Sequence, residues 1–240
     1  MDSMIYDVMD ELSVLAIIPA RSGSKGLPGK NIINCAGRPL ISWSIVAAVE
    51  SKYITRVVVT TDSEEIAEVA KEYGAWVPFL RKPDLAKDDS SITDVVNDVI
   101  NNIKNQFHHD LVILLQPTSP LRNSIHVDES IEIVINKEMN GITGVTEVSH
   151  PYEWTNTLSD NLSMNEFISK EAYFTRSQDF PKRYQINGAI YMLNKYSLML
   201  DKKMIPDKNS MAYIMDKKSS VDIDTEDDFL LASFYLQINS

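Results

Sequence analysis

The run Val14-Leu15-Ala16-Ile17-Ile18 constrains the fold more than any other stretch of this chain. All five residues are apolar, so the run offers no polar face to water. It stops at Pro19 and a glycine-bearing loop, too soon for a helix of ordinary length. A strand that is apolar on both sides must be covered on both sides. That is the condition of a parallel strand in a sheet with helices above and below it. Arg56-Val57-Val58-Val59-Thr60-Thr61 and Leu111 to Leu115 repeat the pattern. Trp76 to Leu80, Gly141 to Val148, Gly188 to Met192, Met211 to Met215 and Ser220 to Asp224 read as further strands.

Helices are expected between them. Leu40 to Val49 follows Pro39, a residue suited to a first turn. A second helix starts at a cap supplied by Asp62 or Ser63 and runs to about Tyr73, with Glu64 and Glu65 in its first turn. Ile92 to Ile103, Ile125 to Asn136 and a segment from about Glu226 complete the set. The alternation predicts a three-layer α/β fold with a mostly parallel sheet. Ligands of such sheets bind outside the carboxyl ends of the strands. The loops after Ile18, Thr60, Leu115 and Val148 should therefore share one rim.

The regular alternation fails between residues 149 and 186, which mix aromatics, prolines and charges. We read 13–240 as one domain with 149–186 as an inserted arm, and 1–12 as a leader outside the fold. Met1 to Leu12 holds four acidic residues and no Lys or Arg, unlike the basic start of a secretory signal. No apolar stretch approaches the roughly 20 residues of a membrane-spanning helix. A single cysteine, Cys35, excludes an intrachain disulfide and a cysteine-rich zinc site. A cytoplasmic location and no membrane partner are expected. The net charge of −11 opposes binding of a nucleic acid polymer. A small anion remains compatible if positive charge is concentrated locally.

The loop Ala20-Arg21-Ser22-Gly23-Ser24-Lys25-Gly26-Leu27-Pro28-Gly29-Lys30-Asn31 supplies that concentration. Glycines let a backbone approach phosphate closely, and Arg21, Lys25 and Lys30 add three cations. The spacing matches neither a Walker loop nor the G-x-G-x-x-G dinucleotide fingerprint. Alone, the loop predicts anion binding at a strand end. Far along the chain, Asp222 and Asp224 lie two apart, so an extended backbone points both to one side. Such a pair suits a hard cation such as magnesium, completed by phosphate oxygens. Asp224 or Thr225 could equally cap the helix that follows.

Five stretches together are identifiable. Ile17 to Gly26 with Lys30-Asn31, Thr60-Thr61-Asp62-Ser63, Leu115-Gln116-Pro117-Thr118-Ser119-Pro120-Leu121-Arg122, Asn187-Gly188-Ala189-Ile190-Tyr191, and Ala212 to Lys217 leading into Ser219 to Asp224 resemble the acylneuraminate cytidylyltransferases, or CMP-sialic acid synthetases. The resemblance spans about residues 14 to 235 in matching order. It implies a Rossmann-like nucleotidyltransferase fold, transfer of CMP from CTP to the anomeric hydroxyl of an acidic nine-carbon sugar, and release of pyrophosphate. It also implies a Mg2+ cofactor and a homodimer formed through the arm, where Phe167, Tyr173 and Phe174 offer apolar anchors.

By the same resemblance, Arg21 and Lys25 grip the triphosphate with Lys30 nearby, and Ala20 and Asn31 contact the nucleotide. Arg81 and Ser91 fall near the cytosine, although Ser91 reads as well as the cap of the helix from Ile92. Asp222 and Asp224 hold the metal, and with Arg21 and Lys25 form the catalytic set. Gln116 contacts the sugar, Arg176 reaches a neighbouring subunit's sugar carboxylate, and Gln185 and Asn187 lie on the sugar side. Gln185 stands where some relatives have arginine, with Arg183 a possible substitute. Met204-Ile205 stands where some have an aromatic pair, and no lysine follows His150-Pro151. N-acetylneuraminate is the first sugar implied, then legionaminic or pseudaminic acid. A cytidylyltransferase for the eight-carbon acid Kdo, or a non-catalytic nucleotide-binding protein, are the rival readings.

Overall fold

The structure is a computed structural model and describes residues 12–23, 26–201, 203–205 and 208–238. The expected leader lies outside these residues except for Leu12. Six strands form one sheet in the order β4-β1-β5-β7-β6-β8. They are β1 (Val14–Pro19), β4 (Ile54–Thr60), β5 (Leu111–Leu114), β6 (Gly141–Glu147), β7 (Tyr184–Asn194) and β8 (Ser210–Met215). A small antiparallel hairpin pairs β2 (Asn34–Cys35) with β3 (Arg38–Pro39). β1 runs parallel to β4 and β5, and β6 parallel to β8. β7 is antiparallel to both its neighbours, β5 and β6. The sheet is thus mixed and mostly parallel, and the carboxyl ends of β1, β4, β5, β6 and β8 face one rim.

The alternation of β1 divides the core into two layers. Val14, Ala16 and Ile18 pack on one side with Ile41 and Ile45 of α1 (Leu40–Val49), Ile66 and Ala70 of α2 (Glu64–Glu72), and the later Val127 and Ile131. Leu15 and Ile17 pack on the other with Val96, Val99 and Ile103 of α3 (Ile92–Ile103). Val127 and Ile131 belong to α4 (Ser124–Asn136), capped by Asn123. All five residues of the opening run are fully buried, as a strand covered on both faces requires. The arm carries the short α5 (Lys170–Phe174), and α6 (Lys195–Asp201) follows β7. A third cluster seats α7 (Glu226–Gln237) on the hairpin through Ala232, Leu236, Cys35 and Ile223.

Three expectations about strands are corrected. Trp76 to Leu80 is not a strand: Trp76 makes one isolated bridge to Val58, and Pro78 has no amide to continue a ladder. Ser220 to Asp224 is a turn and an extended loop without a strand partner. β7 begins at Tyr184, so its first residues lie inside the 149–186 segment. Those early residues were obscured because β7 is irregular. Thr143 pairs with Tyr191 but Val145 with Ile186, so Asn187 to Ile190 bulge out of register.

The buried Asp128 of α4 ties down the turn before β4. Its carboxylate accepts from the Ser51 hydroxyl at 2.5 Å and from the Lys52 amide at 3.1 Å. Removing that acceptor strands the buried Ser51 hydroxyl and frees the Lys52 amide. Asp128→Ala is expected to lower unfolding free energy by about 1–3 kcal/mol, read from the midpoint of a urea transition. A midpoint equal to that of the unchanged protein would remove this role.

Candidate active site

The rim loops close around a cavity of about 350 Å³ lined by Arg21, Lys30, Asn31, Gln116, Asp222 and Asp224, with Pro19, Gly26, Pro117 and Thr118. Six expected site residues, from three separate stretches, therefore share one surface. Ala20 lies beside them, buried, its amide donating to the Thr60 carbonyl at 3.0 Å. Lys25 lies outside the described residues.

Local bonds fix each side of this cavity. Asp62 follows β4 and holds the start of the glycine loop. Its two oxygens accept from the Ser22 amide at 2.8 Å and the Ser22 hydroxyl at 2.7 Å. The helix cap next to it is Ser63, whose hydroxyl accepts from the Ile66 amide at 3.3 Å. Asn31 is buried and donates to the Arg21 carbonyl at 2.9 Å. Its amide thus shapes the loop while its residue lines the cavity. Lys30 donates to the Ile223 carbonyl at 2.8 Å and lies 3.6 Å from Asp224. Asp224 is 79% exposed, so the ion pair itself contributes at most about 1 kcal/mol. Arg21 pairs with Asp88 at 2.6 Å.

Gly26 marks the closest approach of the two halves of the site. A Cβ there would collide with the Asp224 carbonyl, and any side chain would push the glycine loop off the carboxylate segment. On that segment Asp222 and Asp224 both line the cavity, while Ile223 between them is fully buried. Burying one isoleucine contributes roughly 1.5–3 kcal/mol, enough to hold its neighbours outward. Thr225 caps α7 in a reciprocal box with Asp228. Asp228 also accepts from the Asp224 amide at 3.2 Å. Asp224's carboxylate is therefore not spent on the cap. Asp222 keeps a solvent-facing surface but is recessed, and loss of hydration pushes its carboxyl up. A hydrogen bond from Thr118 opposes the rise, Asp224 adds to it and Lys30 counters it.

Two neighbouring carboxylates of which one resists ionisation form a site that a cation relieves. Among the described residues no three His, Cys, Asp or Glu side chains are grouped to hold a metal. The donor set fits a magnesium ion completed by phosphate oxygens and water better than a metal caged by protein.

The remaining expected residues lie elsewhere. Arg81 is buried under β4, donating through Nε to the Thr60 hydroxyl at 3.1 Å and also to the Thr60 carbonyl. Burial pushes its guanidinium down to about 10, with Asp62 resisting, so it is a cation at neutral pH. Ser91 is exposed at the start of α3 and makes no side-chain cap bond. Asn187 is buried in the β7 bulge. Its Nδ2 donates to Ser220 at 2.9 Å and its Oδ1 accepts from the Ala189 amide at 3.1 Å, so its amide braces the chain. Gln185 is exposed opposite Thr146. Arg183 donates to Glu153 at 2.9 Å. Arg176 is exposed on the arm, donating to Asp179 at 2.8 Å. None of these six lines the cavity.

Gln116 lines a second cavity as well, of about 280 Å³, with Ile92, Thr93, Leu114, Tyr191, Lys203, Met204 and Ile205. Thr118 lines the first cavity and Tyr191 the second, and the sequence motifs assign neither a role. Their places in motif order were the signal available. Gly188 has φ +76°, and a Cβ there would stand 3.1 Å from Gln116 Oε1 and 3.8 Å from Asp222, so the bulge seats the glutamine closely.

The Cytidylyltransferase family model matches residues 15–234, nearly the whole described chain, and the protein belongs to that family. It is a nucleotidyltransferase by that membership. It is 35% identical to CMP-N,N'-diacetyllegionaminic acid synthase of Legionella pneumophila, covering 95% of this chain and 98% of that protein. It is 36% identical to pseudaminic acid cytidylyltransferase of Campylobacter jejuni, covering 94% and 97%. It is 37% identical to N-acylneuraminate cytidylyltransferase of Streptococcus agalactiae, covering 90% of this chain and 51% of that protein. The chain thus spans about half the length of the streptococcal relative. Among solved structures, a CMP:2-keto-3-deoxy-manno-octonic acid synthetase complexed with CTP superposes with a TM-score of 0.71 at 17% identity, covering 95% of this chain and 100% of that one. A 4-diphosphocytidyl-2C-methyl-D-erythritol synthase from Anaerococcus prevotii gives 0.64 at 14%, covering 96% and 99%. These likenesses establish the nucleotidyltransferase fold.

Gly26→Ala tests the close approach. It is expected to lower CTP-dependent kcat/KM on the order of a hundredfold while the melting temperature changes little. Undiminished kcat/KM would mean the loop and Asp224 need not touch.

Proposed function

We propose that this enzyme transfers CMP from CTP to the anomeric hydroxyl of a nonulosonic acid and releases pyrophosphate. The observation that carries the reading is the position of Gln116. It joins a charged cavity, holding Arg21, Lys30, Asp222 and Asp224, to an apolar one beside it. The first suits a triphosphate and the second the body of a sugar. The three relatives at 35–37% identity bear names of three nonulosonic acid enzymes.

In the reaction the hydroxyl oxygen forms a bond to the α-phosphorus as the bond to pyrophosphate breaks, and the hydroxyl proton is lost. Arg21, Lys25 and Lys30 hold the triphosphate, and their charge spreads the negative charge of the transition state. Asp222 and Asp224 would hold the magnesium ion, which when bound neutralises phosphate charge. Among the described residues no histidine lines the cavity, so the proton leaves toward Asp222 or water. Gln116 orients the sugar. We assign Arg81 and Ser91 to the cytosine side and Gln185 and Asn187 to the sugar side, Asn187 acting through the bulge it braces.

Residues 13–240 act as one domain whose arm, 149–186, packs on a second copy. Tyr173 and Phe174 are 71% and 83% exposed, and Leu162 and Met164 are also exposed. Apolar groups left in water on a protruding segment support an interface there. The arm would bring Arg176 to the sugar carboxylate in the partner's site, where a guanidinium binds bidentately. Among the described residues no helix is long and apolar enough to cross a membrane. A cytoplasmic enzyme using CTP and a soluble acidic sugar is the reading we adopt, with no nucleic acid polymer as partner.

N-acetylneuraminate is the first sugar to test. The second cavity favours a further reading. Its lining by Ile92, Leu114, Met204 and Ile205 rewards burial of methyl groups over hydroxyls. A diacetylated sugar, as in the name of the Legionella relative, brings an additional acyl methyl.

Purified protein is to be incubated with CTP, magnesium and a panel of nonulosonic acids, with pyrophosphate release measured. Release is expected with at least one of them, and its absence with all would overturn the reading. Asp224→Asn is expected to abolish turnover without unfolding the chain; ordinary activity at ordinary magnesium would remove its metal role. Arg176→Ala is expected to raise KM for the sugar roughly tenfold or more and leave KM for CTP near its starting value. An unchanged sugar KM would refute the partner-site role.

A further inference from the structure

Arg122 is fully buried at the end of the loop that begins with Gln116. Its Nε donates to the Ala189 carbonyl in the β7 bulge at 3.1 Å. Its Nη2 donates to the Gln116 carbonyl at 3.1 Å and to the Ser44 hydroxyl of α1 at 2.7 Å. Ser44 in turn donates to the same Gln116 carbonyl at 3.1 Å. Nη1 is buried without an acceptor. Among the described residues no carboxylate pairs with this guanidinium, and burial alone pushes it down to about 9. It remains a cation at neutral pH.

Such a residue is expensive for a fold. Removing a cation from water without a counter-ion costs several kcal/mol even after relaxation. Neutral carbonyl dipoles offset only part of that. An apolar side chain of similar length would fill the space without the penalty, so packing does not account for an arginine. What the guanidinium adds is a planar fork that can engage two carbonyls on different segments at once. The two segments are the Gln116 turn and the bulge carrying Gly188. They face each other across the narrow gap where a Gly188 Cβ would meet Gln116 Oε1. The fork also sets a positive charge against the backbone of Gln116, which lines the charged cavity.

We propose that Arg122 is the positioning residue for the sugar end of the site: it clamps the Gln116 turn to the β7 bulge, and its charge is balanced by the acidic sugar when that binds. Gln116 touches the sugar and Arg122 acts through Gln116. The triphosphate end is held by other groups, Arg21 and Lys30, on the far side of Gln116. Loss of Arg122 should therefore separate the two substrates kinetically, which a general loss of stability would not do.

The inference rests on the nonulosonate reading, and the test keeps the two apart. Arg122→Met, Arg122→Lys, Gln116→Ala and the Gln116→Ala/Arg122→Met double variant are compared with the unchanged enzyme, using CTP and either N-acetylneuraminate or N,N'-diacetyllegionaminate. Arg122→Met is expected to raise sugar KM about tenfold or more, with CTP KM within about twofold. Arg122→Lys, which keeps charge but loses the fork, should fall between. The double variant should be no worse than the worse single one. Multiplied effects, or equal shifts in both KM values, would overturn the proposal.

Hydrogen exchange on the unliganded proteins supplies a readout that needs no substrate. Faster exchange confined to residues 114–123 and 186–191 is expected in Arg122→Met; unchanged or uniformly faster exchange would overturn the clamp. If Arg122→Met does not fold, Ser44→Ala, which removes one acceptor of Nη2, carries the same comparison. If the unchanged enzyme turns over no nonulosonic acid of the panel, the nonulosonate reading fails while exchange still decides whether Arg122 holds the turn.

Discussion

The Ile223 amide donates to the Thr118 carbonyl at 2.9 Å, and the Ile223 side chain is fully buried between α7 and the hairpin. Much of the site depends on that one residue. Asp222 and Asp224 flank it and face the cavity because it faces inward. The backbone bond fastens them to the Gln116 turn, and the Lys30 ammonium fastens the glycine loop to the Ile223 carbonyl. Three stretches separated by about a hundred residues each are thereby held at one point. The anchor is hydrophobic and backbone in character, so it does not depend on the ionisation of the groups it positions.

The charge distribution follows from that anchor. The chain carries −11 overall, yet Arg21 and Lys30 stand in one cavity and Arg122 is buried behind it. Concentrated cations meet two carboxylates across the same space. A triphosphate alone would be repelled by Asp222 and Asp224, and a bare cation alone by Arg21 and Lys30. Both together neutralise the site. On the function proposed above, that balance favours a metal-bound nucleotide over either component.

The legible part of this fold is what local pattern dictates. The buried run at Val14 announces a strand covered on both faces, and the glycine loop a rim segment at its end that lines the cavity. Trp76 to Leu80 was misread because apolar content outweighed Pro78, whose missing amide leaves one bridge where a ladder was expected. Val221-Asp222-Ile223-Asp224 alternates like a strand, and its backbone is extended, but its amide goes to a turn and not to a sheet. Alternation reports which way side chains point and not what the backbone pairs with. The β7 bulge was invisible for a similar reason, since register is a property of two strands and Asn187 to Ile190 read alone are regular.

The roles of polar side chains were the least legible, and the physical reason is common to them. An arginine or asparagine in sequence carries no sign of whether its partners are water, carbonyls or a ligand. Asn187 and Asn31 share a residue type, a motif-borne expectation and burial, but Asn31 lines the cavity and Asn187 spends its amide on Ser220 and Ala189. Arg122 closes a quoted motif as any surface arginine might, and only the convergence of Gln116, Ala189 and Ser44 on one guanidinium separates it from one. The catalytic surface is thus set at two depths. Residues whose charge meets the substrate can be named from motif chemistry. Residues that hold those in place are specified by contacts between segments distant in the chain, and their burial without a counter-charge is the mark by which the structure exposes them.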